Sequence, residues 1–127
     1  DYGYNLGIAF QMIDDLFDYT MDSADLGKEV GADLREGKLT IPVIHALKQA
    51  DSADRDQMVK IVQNEDFTVD EFKTLVALMK KNDGIDYTAK QAAAYVEKAK
   101  EALSVFKPSK TRDSLFDIAD YALARRL

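Results

Sequence analysis

Apolar residues recur along this chain at steps of three and four, and no alternation of apolar and polar positions lasts long enough to make a strand. The pattern predicts an all-α protein of about six helices. From Asn5 to about Met21, Leu6, Phe10, Ile13 and Phe17 form one stripe. Ile8, Ala9, Met12 and Leu16 cover much of the remaining circumference. A helix that is apolar nearly all round is a buried one. At about 100° per residue, Gln11, Asp14, Asp15, Asp18 and Asp22 fall on a single narrow polar strip. That strip is expected to face an internal cleft rather than open solvent.

Residues 22–38 read as a loop, punctuated by Gly27, Gly31 and Gly37 and carrying Lys28, Arg35 and Lys38. "TIPVIHALKQA" opens the next helix, with Pro42 in a first turn where its missing N–H is not needed. "DSADRDQMVKIVQNE" reads as a short helix with an acidic first turn. Thr68 and Glu71 have capping-box spacing, and Phe67 and Phe72 occupy the hydrophobic-staple positions around them. The helix they start runs through Leu75, Val76 and Met79 and is expected to stop at Gly84 as a left-handed cap. The next repeats at Ile85, Ala89, Ala92, Val96, Ala99, Leu103 and Phe106, and Pro108 ends it. A last helix presents Leu115, Ile118, Ala119 and Ala122.

A length of 127 residues fits one domain, and 46% hydrophobic with 31% charged residues suits a packed core under a soluble surface. The net charge of −6 argues against a nucleic-acid partner, which needs a basic face to displace counterions. It leaves small anions open, because a few lysines can make a local positive site. The absence of cysteine excludes disulfides and thiolate metal sites. No apolar run reaches the roughly 18 residues of a membrane span, and no signal peptide is visible, so a cytoplasmic location is the default expectation. The chain opens on Asp1, already inside a helical pattern, and reads as a piece of a longer protein.

The aspartate strip needs a physical explanation. Like charges at i,i+3 and i,i+4 cost a few tenths of a kcal/mol per pair, and no Lys or Arg lies one turn away from Asp14, Asp15 or Asp18. A solvated acidic face is the plain alternative. The apolar flanks and the cationic glycine-rich loop that follows favour a site. Carboxylates suit a hard divalent cation such as Mg²⁺, which takes oxygen ligands and completes its shell with water or substrate phosphates. Lys28 follows Gly27 and Lys38 follows Gly37, so each can approach phosphate oxygens with little obstruction. Together these residues suggest a metal–diphosphate site. A calcium-binding EF-hand fails on spacing, with no glycine at its sixth position and no closing glutamate.

"LGIAFQMIDDLFDY" and "LGKEVGADLREGKLTIPVIHAL" resemble the second aspartate-rich region of the trans-polyprenyl diphosphate synthases, the polyprenyl synthetase family. Gly7, Phe10, Gln11, Asp14, Asp15 and Asp18 match its G-x-x-F-Q-x-x-D-D-x-x-D pattern. Gly27, Lys28 and Asp33 match a second block, and Gly37, Lys38, Thr40 and Pro42 match its G-K-x-T-x-P segment. "DGIDYTAKQAAAYVEKAKEAL", Lys107-Pro108-Ser109 and "IADYALARRL" are similar to the family's C-terminal helices, with a lean toward the octaprenyl-like branch.

The resemblance implies that residues 1–127 are the C-terminal part of a single all-α domain of isoprenoid synthase type. It implies a Mg²⁺-dependent prenyltransferase in which an allylic diphosphate ionises and isopentenyl diphosphate adds to the allylic cation. Asp14, Asp15 and Asp18 would be the catalytic, metal-holding residues; Gln11, Lys28 and Lys38 would bind substrate. A homodimer is the implied assembly. The family's first aspartate-rich motif and its basic residues for isopentenyl diphosphate have no counterpart here, so the chain alone is expected to be inactive. Two alternatives remain: a noncatalytic subunit of a heteromeric prenyl synthase, and a helical interaction module.

Smaller features have plain expectations. His45, the one histidine, should be a satisfied structural residue. Tyr19, Tyr87, Tyr95 and Tyr121 sit at packing spacings and should be core or boundary residues. Arg125 and Arg126 are expected to complement the last helix's dipole, with reach to a substrate diphosphate as the alternative. Asp33 and Arg35 are placed to pair within the loop.

Overall fold

The computed structural model describes residues 1–20, 34 and 37–124. Six α-helices make up most of them, with no strand among the described residues. Helix α1 spans Tyr2–Thr20. The Asp1 carboxylate starts it by accepting the Tyr4 N–H at 3.2 Å, satisfying one of the orphan donors of a first turn. Helix α2 spans Ile41–Gln49, with Pro42 in its first turn as expected and Thr40 at its N-cap. Helix α3, Ser52–Val62, is capped by Asp51, whose carboxylate accepts the Asp54 N–H at 2.8 Å.

Helix α4, Val69–Lys81, carries the expected capping box. Thr68 Oγ1 accepts from Glu71 N and Glu71 Oε1 accepts from Thr68 N, both at 3.0 Å. The Phe67 and Phe72 rings stack at 5.9 Å and close the staple. Helix α5 spans Gly84–Ala102 and tightens into a 3-10 turn over Leu103–Val105. Helix α6 is Lys110–Ala124, begun by Ser109, whose Oγ accepts the Arg112 N–H at 3.0 Å.

The chain forms two compact units. One is Asp15–Thr88. Its core gathers Tyr19 and Leu34 with Val43, Ala46, Met58, Phe72, Leu75 and Met79. At its surface Lys81 Nζ lies 2.9 Å from Asp54 Oδ2, holding the Asp54 carboxyl below its usual range and the Lys81 ammonium above its own. The other unit is Asp1–Asp14 with Ala89–Leu127. Leu6, Ala9, Val96, Ala99, Ala119 and Ala122 fill its core. Tyr2 Oη donates to the Leu115 carbonyl at 2.7 Å, and Lys100 Nζ to Asp120 Oδ1 at 2.9 Å.

Three expectations need correction. Gly84 is not a left-handed cap: Asp83 takes that conformation, with φ 68°, and Gly84 is the first residue of α5. A methyl group at Gly84 would collide with the Pro42 carbonyl oxygen and press on Ala46 Cβ at 3.0 Å, so the glycine serves close approach instead. Phe106 does not continue the α5 stripe, because the helix has already ended and the ring is 60% exposed. Ile118 and Tyr121 are also exposed, since α6 buries its alanine face, Ala119 and Ala122, instead. Tyr19 is buried and Tyr87 and Tyr95 are half-buried, as expected. Among the described residues no helix is long and apolar enough to cross a membrane.

Candidate functional site

Helix α1 carries the acidic strip. Its apolar packing runs through Leu6, Ala9, Met12, Ile13 and Leu16, all buried. Those residues leave the strip on the opposite side, graded from open to shielded. Gln11 and Asp14 are exposed, Asp15 and Asp18 are half-buried, and Oδ2 of Asp18 is shut off from solvent. The expectation that the whole strip faces an internal cleft is therefore corrected for its first half. Leu6 and Ala9 draw the buried side of α1 away from Gln11 and Asp14.

The donor set fits a hard divalent ion in one specific sense. Asp14 and Asp18 stand one turn apart on the strip, separated by about 6 Å along the helix axis. Among the described residues no group of three or more carboxylate, histidine or cysteine side chains closes up to hold a metal by itself. The arrangement suits an ion that takes one or two carboxylates and fills its shell with water and ligand phosphate, the usual habit of Mg²⁺.

Of the two lysines expected to bind substrate, Lys38 lies among the described residues. Gly37 adopts φ 81°, a left-handed conformation that favours glycine, and its N–H donates to the Leu34 carbonyl at 3.0 Å. The turn delivers Lys38, exposed, at the approach to α2. Two residues on, Thr40 Oγ1 lies 3.4 Å from the Tyr19 hydroxyl. Sequence reasoning made Tyr19 a core or boundary residue but missed this link. The available signal was a buried ring next to Asp18 whose hydroxyl needs a partner. Lys28 lies outside the described residues, as do Asp22, Gly27, Gly31, Asp33, Arg35, Arg125 and Arg126.

His45 is structural, as expected. Its ring stacks on Tyr87 at 3.7 Å between centroids and 2° between planes, and Nε2 is 3.6 Å from Asp83 Oδ2. The stack joins α2 to the start of α5 where Gly84 meets Pro42.

An all-α chain with these helices has the isoprenoid synthase fold, which its solved relatives share. Residues 1–79, which hold the acidic strip, Lys38 and most of α4, match the family described as polyprenyl synthetase, and the chain belongs to that family. A short chain isoprenyl diphosphate synthase of Methanothermobacter thermautotrophicus is 36% identical over 125 residues, 98% of this chain and 38% of the relative. Heptaprenyl diphosphate synthase component 2 of Bacillus subtilis is 34% identical over 98% of this chain and 35% of its own length. A crystal structure of polyprenyl synthase from Caulobacter crescentus CB15, complexed with calcium and isoprenyl diphosphate, is 36% identical with a TM-score of 0.86. It is matched by all of this chain over 39% of its own length. The chain thus spans under two fifths of these relatives.

Proposed function

We propose that the protein bearing this chain is a Mg²⁺-dependent polyprenyl diphosphate synthase that joins isopentenyl diphosphate to an allylic diphosphate. In this reading the chain provides the side of the site that holds the leaving diphosphate. What supports it most is the match of the whole chain to a polyprenyl synthase complexed with a divalent ion and isoprenyl diphosphate. Asp14 and Asp18 are the carboxylates set to hold the ion, with Asp15 beside them on α1. Magnesium, when bound, neutralises negative charge that builds on the diphosphate as the allylic carbon–oxygen bond breaks.

Lys38 contributes in the same direction, as a point charge on diphosphate oxygens, and Lys28 is assigned the same role from the motif. These charges act more strongly on the separating diphosphate than on the intact ester, which lowers the barrier. Gln11 lies one turn from Asp14 and Asp15 on the strip and faces the reacting end of the allylic substrate. The double bond of isopentenyl diphosphate then attacks the allylic cation and a proton is lost. No nucleophilic side chain is required, which agrees with a chain of one histidine and no cysteine. The reading includes a cytoplasmic, homodimeric enzyme, with the 127 residues inactive alone because they carry a single aspartate-rich motif.

The test is condensation of isopentenyl diphosphate with an allylic diphosphate by the intact protein. Activity should vanish with a chelator, return with Mg²⁺, and fall at least tenfold in Lys38→Ala. Activity indifferent to both would overturn the reading. Likeness to a synthase component favours a second reading, a subunit of a heteromeric enzyme. Turnover by the purified protein without a second polypeptide decides for the first.

A further inference from the structure

We propose that Tyr19 is a positioning residue. It fixes the backbone that presents Lys38 against the end of α1 that presents Asp18. The inference rests on the diphosphate-binding reading above and extends it to a residue outside the motif. Tyr19 is 2% exposed, and its ring lies nearly parallel to Phe72 at 5.9 Å. Phe72 in turn stacks on Phe67 in the staple of α4. The ring plane is thus set by the capped start of another helix, and a buried phenol held this way can direct its hydroxyl only narrowly.

That hydroxyl meets Thr40 Oγ1 at 3.4 Å. Thr40 occupies the N-cap of α2, yet its side chain makes no capping bond, so the hydroxyl is available to Tyr19. The segment bearing Lys38 is then held at both ends. The Gly37–Leu34 turn holds it before the lysine, and Tyr19–Thr40 holds it after. Asp18 immediately precedes Tyr19 on α1, so the same ring anchors an acidic ligand and the backbone of a cationic one. Lysine acts on phosphate as a point charge whose effect depends on where its stem starts. Loss of the tie should therefore weaken diphosphate binding while the core stays packed.

The experiment uses the intact protein and a nonreactive allylic thiodiphosphate in Mg²⁺. Affinity is measured for wild type, Tyr19→Phe, Thr40→Val, the double variant, Thr40→Ser and Lys38→Ala. Each hydroxyl deletion should weaken binding about fivefold, the factor carried by one net hydrogen bond. The double variant should be no worse than either single, because both remove the same tie. Thr40→Ser keeps the hydroxyl and should bind like wild type, a rescue that a purely structural role for the threonine methyl would not give. Unchanged affinity in Tyr19→Phe, or losses that multiply in the double variant, would overturn the inference while leaving the proposed function standing if Lys38→Ala still binds weakly. A wild type that ignores the probe would sink both.

Discussion

Gly84 shows how one residue can be dictated by a neighbour's carbonyl rather than by its own dihedral angles. Its missing side chain lets the start of α5 lie on the Pro42 backbone, beside the His45–Tyr87 stack. Gly84→Ala should cost about 1–3 kcal/mol, the range for inserting a methyl into a packed contact, read as a lower midpoint in denaturant unfolding. A glycine after a helical run reads equally well as a cap, and the left-handed turn does exist, one residue earlier at Asp83. The close approach comes from α2, about 40 residues away in sequence, so no local pattern could separate the two roles. Asp54 belongs to this scale too. Hydrogen bonds from Lys81 and Asn82 hold its carboxyl below the ordinary 3.8. A lowered folded value adds stability above the unfolded one, and that stability is lost as pH falls through the folded value. Asp54→Asn should therefore melt below wild type at pH 7, with the gap closing as pH drops below 3.8.

Elements were legible where their signals are local. The Thr68–Glu71 box, the Phe67–Phe72 staple and Pro42 in the first turn of α2 each depend on residues within one or two turns, and each stands where the spacing put it. Thr68→Ala should remove one side of the box and cost about 1 kcal/mol, measured as a lower thermal midpoint; Thr68→Ser should lose little. The buried face of α6 was less legible. Its unit builds its core largely from alanines, Ala9, Ala99, Ala119 and Ala122, which carry a weaker hydrophobic signal in sequence than large apolar residues do. Ile118 and Tyr121 are left outside. On α1 the polar strip was correctly drawn, but its exposure was not. Periodicity gives the direction of Gln11 and Asp14 around the helix, not what covers them.

At the scale of the whole molecule, the chain is two compact units whose residues match under two fifths of their relatives' length. The family and its helical architecture follow from motif spacing, since G-x-x-F-Q-x-x-D-D-x-x-D and G-K-x-T-x-P together constrain ten positions in fixed order within residues 7–42, and Gly27, Lys28 and Asp33 between them add three more. Closure of the proposed site was not legible: among the described residues no three carboxylate, histidine or cysteine side chains come together to hold a metal, and in the proposed reading ligand oxygens complete the ion's shell. Mutual repulsion along the strip is tolerable when a divalent ion is shared with a diphosphate. The most direct test of that claim is calorimetric titration of the intact protein with a nonreactive allylic thiodiphosphate, with and without Mg²⁺. The account predicts binding that requires Mg²⁺ and weakens at least tenfold in Asp14→Ala and in Asp18→Ala. Equal affinity without the metal, or in both variants, would contradict it.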